Sequence, residues 1–311
     1  MAQGRLTLAL AQSALRWYRD AGEFHSHMES FVRRAAEGGA DIVAFPEDVG
    51  LPLAVVEDLS AIAQTASLAE AAEQLVALRH TELAPLMARY SIGPLRAYLL
   101  WRGEWMREVY QSTFSALARE HGITVVAGSI PLPEAGADDG CVYNTAHVYG
   151  PHGQLLGRQR KVHLIDLEAE QGLDLCTAPP EEYRVVRTEK CVLGVAICLD
   201  CFDAELVAAL VRQGMELLID VKANPKEFTP EEQADNRRSA WSRCQERPIY
   251  AAQVFAVGNL LGLPFRGRSA VYCNARLTPD GSGVLAQAQS DCAEELLVAE
   301  LDLGLLAEVA P

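Results

Sequence analysis

Apolar positions change their period several times along the chain, and the changes mark out alternating elements. Leu6 to Gln12 reads as a strand. Phe24, Met28, Phe31, Val32 and Ala35 then recur at helical spacing, giving one apolar stripe that Gly38-Gly39 ends. Asp41 to Phe45 is short and almost wholly apolar, as expected of a strand covered on both faces. Strand, helix and strand in that order predict a βαβ unit with a parallel pair. Residues 51–118, rich in Ala, Leu and Glu, read as helical throughout, with Gly93-Pro94 as the clear break. Beyond it one helix carries two stripes, Leu95, Leu99, Met106 and Val109, and separately Tyr98, Trp101 and Trp105. Such a helix is packed on two sides, which favours a segment buried against the body over one that lines a pocket or meets a second subunit.

From Ile123 the pattern is mainly strands. ITVVAGSI and VYNTAHVYG precede a turn at Pro151-His152-Gly153 and the run LLGRQRKVHL, a hairpin signal. CVLGVAIC (191–198), ELLIDV (216–221), IYAAQVFAV (249–257) and segments near 269–273 and 283–288 are further strands. Helices are expected near 205–211 and 233–246. With no repeat, low-complexity tract or linker, residues 1–311 read as a single α/β domain.

Composition narrows the classes of function. Half of the 311 residues are apolar and 22% are charged, which is ordinary for a globular chain. A net charge of -15 with no basic patch speaks against nucleic acid, whose phosphates need clustered Lys and Arg. Eight cysteines are too sparse here for a disulfide scaffold, so free thiols in a reducing, cytoplasmic setting are expected. The apolar run Leu6 to Ala11 is too short for a signal peptide, and no stretch approaches a membrane span.

Three residues could carry chemistry, each with a bland alternative. Cys198 ends an apolar strand and precedes a helix, so its thiol sits at a strand's carboxyl end, where ligands gather in α/β sheets. Free cysteines are, however, often just buried. Cys198 and Cys201 form a C-x-x-C pair, but no second pair or H-x3-H exists to complete a metal site. Glu47 follows the second strand in FPED and could simply neighbour a helix cap. Lys161 closes RQRK and could be a solvated edge residue.

Taken together, the segments carrying these residues point further. FPE (45–47), VAGSIP (126–131), YNTA (143–146), GRQRKVHL (157–164) and GVAIC (194–198) stand in one order, followed by RCQERPIYAAQVFAVGNLLG (243–262) and FRGRSAV (265–271). This series resembles the nitrilase-like carbon–nitrogen hydrolases, in their amidase-type branch, over nearly the whole chain. The resemblance implies a four-layer α-β-β-α sandwich with a helical insertion near 51–118, and subunits paired as homodimers or higher homo-oligomers. It implies Glu47, Lys161 and Cys198 as the catalytic residues, with Glu168 as a supporting glutamate (Glu170 if the loop is shifted).

The chemistry follows from these groups. Lys161 would favour the thiolate of Cys198, and Glu47 would take its proton and deliver it to the leaving nitrogen. Lys161 and the backbone N–H of Leu199 would hold the oxyanion. The expected substrate is a small amide, and no metal or organic cofactor is required. After the nucleophile the chain reads Cys198-Leu199-Asp200-Cys201-Phe202-Asp203-Ala204-Glu205. Phe202 stands where many such amidases have arginine, which puts carboxylate-bearing substrates in doubt. Leu199-Asp200 also departs from the Cys-Trp-Glu of nitrilases, which favours an amide over a nitrile. N-carbamoyl hydrolysis, acyl transfer to an amine, a redox dithiol and a non-catalytic binding protein are the competing readings.

Overall fold

A computed structural model describes residues 4–309. Two six-stranded sheets form its centre. The first runs, edge to edge, Glu295–Asp302, Arg5–Gln12, Ile42–Ala44, Thr124–Pro133, Val142–Tyr149 and Leu155–Arg160. The second runs Val284–Gln287, Ala270–Tyr272, Tyr250–Phe255, Leu217–Lys222, Val192–Ile197 and Val186–Arg187. Each contains three adjacent parallel strands: Arg5–Gln12, Ile42–Ala44 and Thr124–Pro133 in one, Val192–Ile197, Leu217–Lys222 and Tyr250–Phe255 in the other.

Alternation along the strands makes the layers. Leu8 and Leu10 of the first sheet meet Leu193, Val195, Ile219 and Val221 of the second in a core between the sheets. The intervening Ala9 and Val43 face Phe24, Met28 and Phe31 of the helix Ala21–Glu37, with Met106, Tyr110 and Phe114 of the helix Pro94–His121. On the far side, Ala196, Leu218 and Ala251 face Leu206 and Leu210 of the helix Ala204–Arg212, and Ala240 and Cys244 of Ala240–Glu246. Helix, sheet, sheet and helix give the four-layer α-β-β-α sandwich of the nitrilase-like hydrolases. Burial on both faces explains why the strands are near-continuous apolar runs.

The 51–118 segment is more broken than its composition predicts. It comprises a 3-10 turn at Leu51–Val55, a short helix Leu59–Ile62, helices Leu68–Leu78 and His80–Tyr90, and the long helix Pro94–His121. Ser67 caps the second helix by accepting from Glu70 N–H, and Ser91 ends the third in a left-handed conformation. Members of both stripes on the long helix join one buried cluster, and Leu95, Tyr98 and Leu99 line the same small cavity. Tyr110 donates to Ala127 O of the first sheet at 2.9 Å, whereas Tyr98 donates to Asp58 at 2.7 Å. Arg79 lies over Trp101 and Arg102 over Trp105, at 4.9 and 4.5 Å from the ring centroids.

Two other expectations need correction, and one sheet was not foreseen. The helix expected at 233–246 is two, Pro230–Arg237 and Ala240–Glu246, because Ser239 turns inward to hydrogen-bond Asp220. A third, small sheet joins Ala14–Leu15, Val257–Leu260 and Leu263–Phe265. The cysteines are not all free: Cys141 and Cys176 are paired in a disulfide, with Cα atoms 5.7 Å apart. Cys176 N–H also donates to Val142 O at 2.8 Å, so the end of the 162–178 loop is fastened to the strand Val142–Tyr149. Sparse cysteines escape notice because loop and strand are brought together by the fold alone. Among the described residues no helix is long and apolar enough to cross a membrane.

This disulfide closes a loop of 35 residues, and such closure stabilises by about 2–4 kcal/mol. Cys141→Ser is therefore expected to melt several degrees lower than the parent. Reductant should lower the parent's melting temperature and leave the variant's unchanged; equal responses would exclude the crosslink.

Candidate active site

Glu47, Lys161 and Cys198 each stand just past the end of a strand, and the topology turns these ends toward one another. Glu47 lies just beyond Ile42–Ala44, in a turn that presses on the neighbouring strand at Gly128. Gly128 has φ 68°, and a Cβ there would come 2.0 Å from Pro46 O, so only glycine admits the turn. Ser129 fastens the same turn, its Oγ accepting from Asp48 N–H at 3.0 Å. The VAGSIP run thus serves as the support of Glu47.

Lys161 follows the strand Leu155–Arg160 and is completely buried, at 0% exposure. Its Nζ donates to Glu47 Oε1 at 2.6 Å and to Glu168 Oε2 at 2.5 Å. Asn144, from the YNTA run, bridges the two carboxylates, its Nδ2 donating to Glu47 Oε1 at 3.2 Å and Glu168 Oε1 at 2.9 Å. Glu47 Oε2 accepts from Ala223 N–H at 2.8 Å, and Glu168 Oε2 from Ile165 N–H at 3.0 Å. Glu168, not the exposed Glu170, joins this array.

Cys198 begins the 3-10 turn Cys198–Phe202 directly after Val192–Ile197. Its φ of 51° is left-handed, a conformation that costs a non-glycine residue of order 1 kcal/mol or more. Asp200 anchors the turn, accepting from Val162 N–H, from His163 N–H at 2.7 Å and from Tyr183 OH at 2.5 Å. The residues following Lys161 are thereby tied to those following Cys198. Cys198 and Leu199 line a cavity of about 490 Å3, with Phe202, Asn224 and Asn236 among its walls.

The electrostatics follow from burial. Removal from water pushes the Glu47 carboxyl up to about 7, with Lys161 opposing and Glu168 reinforcing the shift. Burial works against the Lys161 ammonium, but Glu47 and Glu168 outweigh it and hold its pKa well above the ordinary lysine value. The Cys198 thiol is pushed up to about 12, chiefly by burial and then by Glu47, with Lys222 and Lys161 opposing. A resting thiol beside a carboxylate that titrates near neutrality suits proton transfer during attack better than a standing thiolate.

Lys222 was not singled out in the sequence, where it falls one residue past the run 216–221 read as a strand; the observed strand is Leu217–Lys222. It is 2% exposed and lines the cavity with Cys198. Its Nζ lies 3.5 Å from Asp220 Oδ2 and 4.6 Å from the centre of the Phe202 ring. Burial opposes its charge, but Asp220, Cys198 and Cys201 outweigh that and raise its pKa. The signal available was a lysine and an aspartate two apart on a strand buried on both faces, hence sharing one side.

Cys201 is buried, and its thiol hydrogen-bonds Asp220, so it does not form a dithiol or metal pair with Cys198. Among the described residues, Glu29, Glu120 and His121 are the one trio whose ligand atoms come together as a metal site would require. They belong to the outer helices of the first sheet and its edge, not to the cavity at Cys198.

Comparison with known proteins bears on the fold and the family. Residues 7–311 match the model of the carbon-nitrogen hydrolase family. Omega-amidase NIT2-A of Xenopus laevis is 31% identical over 202 residues, covering 63% of this chain and 67% of that protein. Nit3 of Saccharomyces cerevisiae, a member of branch 10 of the nitrilase superfamily, superposes with a TM-score of 0.68 at 21% identity, over 98% of this chain and 93% of its own. A mutant amidase from Nesterenkonia sp. AN1 in complex with butyramide superposes at 0.64 with 21% identity, over 98% and 94% of the two chains. The fold is that of the nitrilase superfamily. This chain belongs to the carbon–nitrogen hydrolase family and is a cysteine-dependent hydrolase of carbon–nitrogen bonds.

Removing the positive charge beside Cys198 should make its thiol harder to ionise. Lys222→Met is expected to slow alkylation of Cys198 by iodoacetamide at pH 8 by roughly tenfold, the equivalent of one pKa unit. Lys222→Arg should retain most of the rate; equal slowing in both would make the residue's role one of packing.

Proposed function

We propose that the protein hydrolyses linear amides through a thioester on Cys198, with Glu47 as general base and acid and Lys161 as the cationic stabiliser. The observation that carries this reading is the buried array in which Lys161 holds Glu47 and Glu168 at once, within electrostatic reach of Cys198. The whole chain is taken to act as one domain. A cytoplasmic homodimer or higher homo-oligomer is its expected form, which light scattering would check.

Each step uses a group already described. As the Cys198 sulfur bonds to the amide carbon, its proton passes to Glu47 and negative charge gathers on the carbonyl oxygen. Lys161 Nζ and the backbone N–H of Leu199 stabilise that charge. Glu47 returns the proton to the nitrogen, the C–N bond breaks, and ammonia or an amine departs. Glu47 then accepts a proton from water, whose oxygen attacks the thioester. The acid leaves, and the proton goes back to the sulfur. Glu168 acts by holding Lys161 and by raising the pKa of Glu47, and no metal or organic cofactor enters any step.

The printed names of the relatives support an amide over a nitrile or an N-carbamoyl compound, since both the omega-amidases and the Nesterenkonia enzyme are amidases. The decisive test is ammonia release from aliphatic amides, ω-amides, ureido acids and nitriles. Cys198→Ala should abolish all release, and intact-mass spectra of the parent should show an acyl adduct on Cys198. Release that survives the substitution would refute the assignment.

The pH profile gives a second test. Glu47 must be ionised to accept a proton, so kcat/KM should climb through a midpoint near 7, where burial has set its pKa. Glu168→Gln removes a charge that raises this pKa, so the acid limb should move to lower pH even as the maximum rate falls. A limb that stays put would separate Glu168 from the titration.

A further inference from the structure

Behind the catalytic array the interior is hollow and apolar. A cavity of about 90 Å3 begins at Glu168 and Ala223, the residues that hold Lys161 and Glu47. It shares Ile165, Leu167, Ala223 and Pro225 with the larger cavity at Cys198, so the two lie on either side of one thin wall. Its other sides include Leu68, Leu173, Leu263 and Phe265. A further cavity of about 80 Å3 shares Trp17, Leu51, Leu68, Leu173 and Leu261 with it, and runs on beneath the 51–118 segment to Leu75, Leu95 and Leu99.

Three titratable side chains line this pair of cavities: Asp48 and Glu168 at the catalytic end, and Tyr98 at the far end, where its hydroxyl donates to Asp58. Glu168 is engaged by Lys161 and Asn144. Burial, followed by the nearby Glu47 and Glu168, raises the pKa of the Asp48 carboxyl well above its usual range and so disfavours its charge. Apolar hollows of this kind stay dry and accept apolar groups, while a charge placed in them would lose its hydration unpaired. The 51–118 segment supplies most of the lining of the second cavity.

We propose that the two cavities form an acyl-chain site, so that the preferred substrates are amides of uncharged, medium-length aliphatic acids whose chains lie beneath the 51–118 segment. The proposal rests on the amide-hydrolase reading and adds to it the nature of the acyl group. To reach this site the acyl chain would have to part the wall formed by Ile165, Leu167, Ala223 and Pro225, which lines both cavities. A terminal carboxylate would meet leucines there and no cation. The cationic side chains facing the larger cavity, Lys222 and Lys226, are occupied by Asp220 and Glu232.

The test measures kcat/KM for acetamide, butyramide, hexanamide and octanamide beside chain-matched monoamides of dicarboxylic acids. Each methylene buried should raise kcat/KM about fourfold, until the cavity is full. A terminal carboxylate should lower it by at least about tenfold, the cost of an unpaired buried charge. Leu68→Phe and, independently, Leu173→Phe fill the hollow and should reduce the ratio of hexanamide to acetamide turnover. Calorimetry supplies a readout free of turnover: hexanamide should bind Cys198→Ala more tightly than acetamide, with a negative heat-capacity change. Turnover that is flat or falls with length, or that favours the carboxylate-ended amides, overturns the acyl-chain site and leaves the hydrolase reading standing. Tight hexanamide binding without cleavage of any amide by the parent keeps the site and overturns that reading. Neither binding nor cleavage overturns both.

Discussion

A lysine ammonium sealed from water between two carboxylates is the interaction on which the rest of the site depends. An unpaired ammonium there would neutralise or drive the fold apart, and two unpaired glutamates would repel. Held together, Glu47, Lys161 and Glu168 satisfy each other, with Asn144 and two backbone N–H groups filling the remaining positions. The array carries one positive charge against two possible negative ones. That imbalance, in a place without water, keeps Glu47 near the midpoint between acid and base. The same burial that makes the cluster costly to assemble makes it useful at neutral pH.

Four elements that are far apart in the chain must meet to build it. Glu47 and Asn144 come from the first sheet, Glu168 from a loop without regular structure, and Ala223 from the end of a strand in the second sheet. The core between the sheets therefore does more than stabilise the fold, since its thickness sets where Ala223 N–H stands relative to Glu47. The disulfide adds a covalent limit on the loop that brings Glu168.

Much of this was legible in the amino-acid sequence. The apolar runs ending at Phe45 and Ile197 located two strand ends, and the motifs around them identified Glu47, Lys161, Cys198 and Glu168 before any geometry was available. What escaped was what strand periodicity does not encode. Asp220 lies in a run that reads as plain strand and Lys222 just past it, and their charge is tolerated because each faces the other. Ser67, Ser91 and Ser239 break helices through caps and side-chain hydrogen bonds, which weigh little in a composition so rich in helix formers. The Cys141–Cys176 pairing depends on a long loop returning to a strand edge. Single residues at strand ends were informative because topology there is simple; loop paths were not.

The left-handed backbone at Cys198 carries an evolutionary consequence. Glycine would relieve the strain at this position and would remove the thiol, so durability and the proposed chemistry pull one residue in opposite directions. A lineage that kept the fold for binding and gave up chemistry would gain by drifting away from cysteine here.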